Sequence, residues 1–434
     1  MPAKQDIRGI QVVLTAGCNL RCSYCYQNDK KPRRMEWDTL RASLDLLLDS
    51  REREVHLLFL GGEPLLEFPL IQRAVDYVDS RRPRQLRVRY DLTTNGTLLR
   101  DEHAAFLADH DFAVQLSFDG VAAAQSLRGA GTFGVLDSLL NRLRCDHPAF
   151  LARRVSVAMT LVPATIPHLA DSVEYFLGKG VKEISVGPAI THQPDWRDSL
   201  VEELDRQYAR VFRLSLRHYR RTGEVPFKLF RRTEHDATHG PEGTSICSAG
   251  RGGEAAIDVD GQVHGCVMFA ESYQTFPTAF LRTRLGAMRM GDVRDPGLPR
   301  RLTVYPEAAR AAGIFHDKKD KYSSYRRCGD CEFLASCSVC PVSIGHDPRN
   351  TDPNRIPDFQ CAYNLVSLAY RERFPRRPST VDILLGRVPV PHLLRKLAAV
   401  SGPRLRRARV CPPGSRYRSK EAVRAARRPR RPRA

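Results

Sequence analysis

Between residues 10 and 187 the chain repeats one alternation. Short apolar runs at 10–14, 55–60, 86–92, 113–118, 155–161 and 183–187 are separated by stretches of helical periodicity near 38–49, 66–80, 100–109, 133–144 and 167–178. In the first of these stretches Leu40, Leu44, Leu47 and Leu48 recur at the helical period and share one face. Strands separated by single helices imply right-handed βαβ units and a parallel sheet. Six such units, closed by a long helix near 195–221, predict an α/β fold: a partial (β/α)6 TIM-like barrel. Barrels of this kind carry their chemistry on the loops at the C-terminal ends of the strands. No internal repeat is visible.

Composition fits a globular protein, with 42% apolar and 27% charged residues among 434. That length suggests two or three domains. No apolar run approaches the roughly 18–20 residues of a membrane span, so an integral membrane protein is excluded. The formal net charge of +20 is unevenly spread. Residues 376–434 hold 18 Lys and Arg against two acids, Asp382 and Glu421, which leaves +4 for the first 375 residues. This Arg/Pro-rich basic tail is expected to be disordered. Its arginines could meet phosphates or carboxylates, but Tyr417 stands alone among them, so a stacking type of nucleic-acid site is disfavoured. The resulting division is a core at 1–235, a cysteine-rich domain at 240–372 and the tail at 376–434.

The cysteines change the picture further, since there are twelve. Leu14-Thr15-Ala16-Gly17-Cys18 resembles a lipoprotein cleavage box, but the apolar stretch before it is about five residues where signal peptides need ~7–15. A cytoplasmic location is the expectation, and there cysteines more often bind metal or do redox chemistry than form disulfides. Cys18, Cys22 and Cys25 form C-x3-C-x2-C directly after the first strand. Three close thiolates can hold three irons of a cubane cluster and leave the fourth iron open, whereas zinc usually takes four protein ligands. Gly61-Gly62-Glu63-Pro64 ends the second strand. Its glycines let backbone approach a ligand closely, and Glu63 can accept from an ammonium group.

Together these motifs resemble the radical S-adenosylmethionine (SAM) enzymes, whose cluster motif C-x3-C-x-aromatic-C stands here as Cys18-Asn-Leu-Arg-Cys22-Ser-Tyr24-Cys25. Gly61-Gly62-Glu63-Pro64 matches the family's methionine-binding motif. The resemblance continues in Thr94-Asn95-Gly96-Thr97, Ser117-Phe118-Asp119-Gly120, Arg128 and Gly131-Thr132-Phe133, and covers roughly residues 8–220. It implies a 4Fe-4S cluster on Cys18, Cys22 and Cys25 whose open iron is chelated by the SAM amino and carboxylate groups. It further implies reductive cleavage of SAM to methionine and a 5′-deoxyadenosyl radical, which abstracts hydrogen from substrate. Asn95, Ser117 and Arg128 are the candidates for touching the SAM ribose or carboxylate; their alternative is to cap helices and turns.

A second series reads Cys247-x13-Gly261-x4-Cys266, then Cys328-x2-Cys331-x5-Cys337-x2-Cys340, then Cys361. C-x2-C turns present two thiolates to one metal, so this region is expected to hold metal, with structural zinc as the plainer alternative. After a radical SAM core it resembles the SPASM extension, which implies two auxiliary 4Fe-4S clusters. Carried over by position, Cys247, Cys266 and Cys340 would hold the inner cluster, and Cys328, Cys331, Cys337 and Cys361 the outer one. The last spacing is x2 where the family has x3. A fourth inner cysteine upstream of Cys266 is missing, which implies an open iron or a non-cysteine ligand. Cys145 and Cys411 have no partner thiol nearby and are expected to be non-ligands.

SPASM proteins commonly modify peptides or proteins, so ribosomal peptide maturation by crosslink or oxidation is the first expectation. Sulfatase maturation is disfavoured, because Val267 follows Cys266 where sulfatase-maturing members carry an Asp. A SPASM-type small-molecule dehydrogenase is an alternative enzyme, and a zinc-stabilised nucleic-acid-binding protein the non-enzymatic one. The implied partners are a peptide or protein substrate and an electron donor such as ferredoxin or flavodoxin. The core starts close to residue 1, so a separate leader-peptide-binding protein is a further expected partner. His56, His168, Tyr90, Glu254 and Asp258 are polar candidates for acid–base work, among which the sequence makes no choice.

Overall fold

The computed structural model describes residues 6–27, 30–231, 253–272, 288–311 and 318–375, together with Thr278, Arg282 and Gly286. Cys247, Cys411 and the tail at 376–434 lie outside the described residues.

Alternation along the strands explains the architecture. β1 (Gly9–Val13), β2 (Glu54–Leu60), β3 (Arg87–Thr94), β4 (Ala113–Ser117), β5 (Val155–Leu161) and β6 (Ile184–Pro188) pair in parallel, each with the next. One pleat face carries Ile10, Val12, Val55, Leu57, Phe59, Leu92, Val114, Leu116 and Val157, all essentially inaccessible to solvent. That face packs against the helices α1 (Trp37–Leu48), α2 (Phe68–Arg81), α3 (Asp101–Asp109), α4 (Ala122–Gln125), α5 (Thr132–Asp146), α6 (Pro148–Arg154) and α7 (Leu169–Lys179). α1 buries Leu40, Leu44 and Leu47, the stripe expected from its periodicity. Each fully buried side chain of this size contributes about 1.5–3 kcal/mol, which is what holds the helices on the sheet. α7 stops at Gly180, whose φ of 85° is the left-handed cap that a side chain would resist.

The opposite face is polar. Gln11, His56, Asp91, Thr93, Gln115 and Ser156 line a cavity of about 710 Å³ inside the curved sheet. A complete TIM barrel fills that space with branched apolar side chains; the partial barrel here leaves it to polar groups.

Beyond β1 the sheet continues. β7 (Glu254–Ile257) pairs in parallel with β1, and β8 (Gln262–His264) and β9 (Arg289–Asp292) add antiparallel strands, giving the order β6-β5-β4-β3-β2-β1-β7-β8-β9. The cysteine-rich region expected to be a separate domain thus begins inside the same sheet. α8 (Leu200–Thr222), α9 (Leu298–Ala311), α10 (Pro341–Ile344) and α11 (Asp358–Arg373) complete the element order. α11 docks on α8 through an aromatic seam: Tyr208 stacks on Tyr370 at 6.2 Å, and Phe374, at the C-cap of α11, meets Phe212 edge-on at 5.6 Å. The Tyr363 hydroxyl adds a hydrogen bond of 2.7 Å to the Val186 carbonyl of β6. Among the described residues, no helix is long and apolar enough to cross a membrane.

Candidate active site and cysteine clusters

β1 ends at the top of the sheet, and its chain turns there into the loop that carries Cys18, Cys22 and Cys25, all half-buried and free. The loop is tied at its root. Leu14 N–H donates to the Leu60 carbonyl (2.9 Å), Ala16 N–H to the Arg33 carbonyl (2.9 Å), and Gly17 N–H to Thr15 Oγ1 (3.1 Å). Within it, Cys25 N–H donates to the Cys22 carbonyl at 3.1 Å, closing the turn between the last two thiols, and Leu20 N–H points at Cys18 Sγ at 3.4 Å. Burial pushes the Cys18 and Cys22 thiols up; Lys30 opposes it at Cys18 and Arg128 at Cys22. Three mutually interacting thiols beside two cations are a donor set that suits an anionic iron–sulfur cluster. Iron loading would displace their protons. Among the described residues, no three His, Cys, Asp or Glu side chains converge on the position of a single metal ion. Thiolates of a cubane need not, since each binds its own iron.

Gly61 and Gly62 serve this loop directly. A Cβ on Gly62 would lie 2.0 Å from the Gly17 carbonyl oxygen, and one on Gly61 2.6 Å from that of Thr15. In that contact Gly62 N–H donates to the Thr15 carbonyl (2.7 Å) and Glu63 N–H to the Gly17 carbonyl (2.9 Å). The close approach expected toward a ligand is therefore made toward the backbone of the cysteine loop. Pro64 opens the 3-10 turn Pro64–Glu67 that follows. Glu63 is 0% exposed. Its Oε1 accepts from Leu65 N–H (3.1 Å) and Thr94 Oγ1 (2.6 Å), and its Oε2 from Asn95 N–H (2.7 Å). A carboxylate offers about four lone-pair sites, so three bonds leave one for an incoming ammonium. Burial raises its pKa to about 7.

Asn95 bridges the two loops. Its amide donates to Asn19 Oδ1 (2.9 Å) and approaches Cys18 Sγ at 3.9 Å, while its Oδ1 accepts from Thr97 N–H (2.9 Å). Ser117 ends β4 half-buried, and no hydrogen bond is formed by its hydroxyl among the described residues. It is thus available to a ligand. Arg128 is engaged otherwise: Nε and Nη2 donate to Asp119 at 2.9 Å each, with the pair only 8% and 2% exposed. Asp119 also accepts from Thr160 N–H (2.8 Å) and from the Tyr24 hydroxyl, and the guanidinium lies 5.4 Å from the Tyr24 ring centre. Arg128 and Tyr24 therefore meet each other and Asp119, linking the cysteine loop to β4 and β5. Asp119 and Thr94 are site-building residues that the motifs contain and that sequence reasoning left without a role.

The acid–base candidates separate. His56 Nδ1 lies 3.1 Å from Asp91 Oδ2, and with Glu254 they line the polar cavity inside the sheet. Tyr90 is buried on the helix side, donating to Asp79 at 3.2 Å. His168 sits at the start of α7. Asp258 is buried and accepts from Ser272 N–H (2.9 Å), the Ser272 hydroxyl and Val259 N–H (2.7 Å).

In the second region Cys328, Cys331, Cys337 and Cys361, the four that the SPASM resemblance groups, line one cavity. Ser323 Oγ donates to Cys361 Sγ (3.0 Å) and Asn364 Nδ2 to Cys337 Sγ (3.3 Å). Burial and the neighbouring thiols push Cys328 up to about 11 and Cys337 up to about 12, opposed by the buried Lys318 and, at Cys328, by Lys321. Lys318 is held there by the Leu334 (2.7 Å) and Cys337 (2.9 Å) carbonyls. Cys266 follows β8 and Cys340 caps α10. Tyr26 spans the two regions: its hydroxyl feels both Cys25 and Cys266, and it packs against the buried cluster of Val13, Leu60, Val259 and Ala270. Cys145, expected to be a non-ligand, is disulfide-bonded.

Residues 12–144 match the family model described as the radical SAM superfamily. The cysteine-type anaerobic sulfatase-maturating enzyme of Clostridium perfringens is 30% identical over 180 residues, which are 39% of this chain and 48% of that enzyme. The chain spans about half the length of the curated relatives it matches. Among solved structures, anSMEcpe with bound AdoMet and the Kp18Cys peptide superposes with a TM-score of 0.63 at 17% identity, covering 84% of this chain and 97% of that one. Streptococcus suis SuiB bound to its precursor peptide SuiA superposes with a TM-score of 0.53 at 15% identity, covering 82% and 76%. At these identities the likeness is one of fold.

Proposed function

From the radical SAM superfamily domain at residues 12–144, we propose that this enzyme reductively cleaves SAM at a 4Fe-4S cluster held by Cys18, Cys22 and Cys25 and abstracts hydrogen from a peptide or protein side chain. The observation that carries the reading is the interlock of the cysteine loop with Gly62 and Glu63, which holds three thiols and one spare carboxylate lone pair over the same strand ends. When bound, the cluster supplies the electron that splits SAM, and the resulting 5′-deoxyadenosyl radical takes the substrate hydrogen. The protein's part is position and dryness. Glu63 would receive the SAM ammonium, the Ser117 hydroxyl and the Asn95 amide would meet the ribose and carboxylate, and the Tyr24–Asp119–Arg128 network ties the loop to β4 and β5.

Cys328, Cys331, Cys337 and Cys361 would hold an outer auxiliary cluster, and Cys247, Cys266 and Cys340 an inner one. A peptide substrate is supported by the peptide-bound structures that share the fold. A small electron-transfer protein of the ferredoxin or flavodoxin kind would supply reducing equivalents.

Anaerobic reconstitution tests the reading. About twelve irons and about twelve sulfides per chain are expected for three four-iron clusters. The C18A/C22A/C25A variant should keep the auxiliary iron and lose 5′-deoxyadenosine formation. Stoichiometric zinc without sulfide would sink the assignment.

Sulfatase maturation is the second reading, favoured by the 30% identity to a sulfatase-maturating enzyme. Against it, Val267 packs in an apolar cluster with Tyr26 and Val259 and has no proton to exchange. Incubation with a cysteine-containing sulfatase peptide, read by mass spectrometry for formylglycine, decides between the two.

A further inference from the structure

Lys318-Lys319-Asp320-Lys321 sets two lysines three residues apart, and the fold buries both. Lys318 is 6% exposed and Lys321 8%, whereas Lys319 and Asp320 between them lie in solvent. The cause is local. Lys318–Asp320 is a 3-10 turn, closed by a hydrogen bond of 3.2 Å from Lys321 N–H to the Lys318 carbonyl, and side chains three apart in such a turn share one face. Both lysines line the cavity of Cys328, Cys331, Cys337 and Cys361. The Lys318 amine donates to the Leu334 carbonyl at 2.7 Å and to the carbonyl of Cys337 itself at 2.9 Å. Lys321 is tied to the first of these cysteines, since Cys328 N–H donates to its carbonyl at 2.9 Å, and its amine reaches the Pro353 carbonyl at 3.4 Å. Lysine is almost never this buried unless opposite charge meets it, and the thiolates of a loaded cluster supply such charge.

We propose that Lys318 and Lys321 are the counter-charges of the outer auxiliary cluster and raise its reduction potential. The proposal rests on reading the second region as an auxiliary-cluster domain. Four thiolates make a four-iron cluster an anion. The electron it takes from a small electron-transfer protein adds one more negative charge, with no bond made or broken and no proton moved. A buried cation stabilises the reduced form more than the oxidised one, and burial keeps water and salt from screening it. Potentials of such clusters follow net charge and hydrogen bonds to sulfur. The Ser323 hydroxyl on Cys361 Sγ (3.0 Å) and the Asn364 amide on Cys337 Sγ (3.3 Å) act in the same direction, but both are neutral. Arg326 is a third cation on the cavity, and it is screened: it is exposed, and its guanidinium lies 3.5 Å from the Glu332 carboxylate.

Redox titration followed by EPR reads the effect, on the full chain in the C18A/C22A/C25A background so that only auxiliary iron contributes. The outer couple is the one that adding Cys337→Ala removes. Lys318→Met and Lys321→Met should each shift its reduction equilibrium toward the oxidised form by at least about tenfold, which is about 59 mV more negative for a one-electron couple. Lys318→Arg and Lys321→Arg keep the charge and should leave the couple near that of the parent, as should Arg326→Gln. Loss of the outer iron from a methionine variant that the matching arginine variant restores is the same result at the level of assembly. An unshifted couple in either methionine variant with its iron retained overturns the proposal. So does an equal shift in Arg326→Gln, or iron lost from the methionine and arginine variants alike. Failure of the reading beneath it looks different: the background variant would then hold no iron at all.

Discussion

Substituting Gly62 by alanine tests whether the second strand's glycines hold the cysteine loop. The new Cβ would stand 2.0 Å from the Gly17 oxygen, 2.5 Å from its carbonyl carbon and 2.8 Å from the Ala16 oxygen. All three are backbone atoms, so no side chain can swing away. Real Cβ contacts stay above 3.0 Å, so the two loops must part by at least about 1 Å, a displacement that can cost about 100-fold when it misplaces a reacting centre. Parting also breaks the Gly62–Thr15 and Glu63–Gly17 bonds of 2.7 and 2.9 Å. Two such bonds are worth roughly 1–3 kcal/mol, and overpacking adds a comparable amount. G62A should therefore lose about four irons per chain, unfold at lower denaturant concentration, and form 5′-deoxyadenosine about 100-fold more slowly. G178A is the control. Gly178 lies in α7, where an added Cβ meets nothing within 4 Å, and alanine there should stabilise by about 0.5–1 kcal/mol. Full iron content in G62A, with SAM cleavage within a few-fold of the parent, would refute the interlock.

Three further outcomes are expected. Asp119→Ala strands Arg128 in the interior, and breaking a buried pair by removing one partner costs about 3–5 kcal/mol; a chemical melt within 1 kcal/mol of the parent would show that the pair is dispensable. Glu63, raised to about 7 by burial, binds a proton in the folded state that the unfolded chain releases, so its contribution is complete in acid and declines as pH rises toward about 7. That decline, roughly 2–3 kcal/mol for the metal-free chain, should be missing in E63Q when melts at about pH 5 and about pH 8 are compared; equal slopes in the two proteins would exclude it. Cys337→Ala should remove about four irons while sparing SAM cleavage in a single turnover, read as 5′-deoxyadenosine per chain; loss of cleavage would mean that the outer set and the SAM site are one functional unit.

Legibility from sequence followed the range of the interactions. Strand β5 lies where its apolar run does, at Val155–Leu161, because strands buried by helices must be apolar wherever they face them. The inward face escaped notice: His56, Asp91 and Gln115 are interleaved with Val55, Leu92 and Val114, and only the pleat reveals that they gather around one cavity. β7 and β8 were too short, at four and three residues, to carry a period, so the sheet's continuation past β1 had no signature. The cysteine spacings were legible because they are local, and Cys328, Cys331, Cys337 and Cys361 line one cavity. The glycine motif was legible as a need for close approach, though not as to what is approached: Gly17 lies forty-five positions upstream, and the chain alone cannot say that a loop rather than a ligand fills the gap. Arg128 shows the same limit. A lone arginine near a SAM motif invites a ligand role, yet nine residues earlier Asp119 takes both of its inward-facing donors. Under the proposed function the motif residues would divide by task, with Gly62, Asp119 and Arg128 tying the cysteine loop to its neighbours and Glu63, Asn95 and Ser117 facing the ligand.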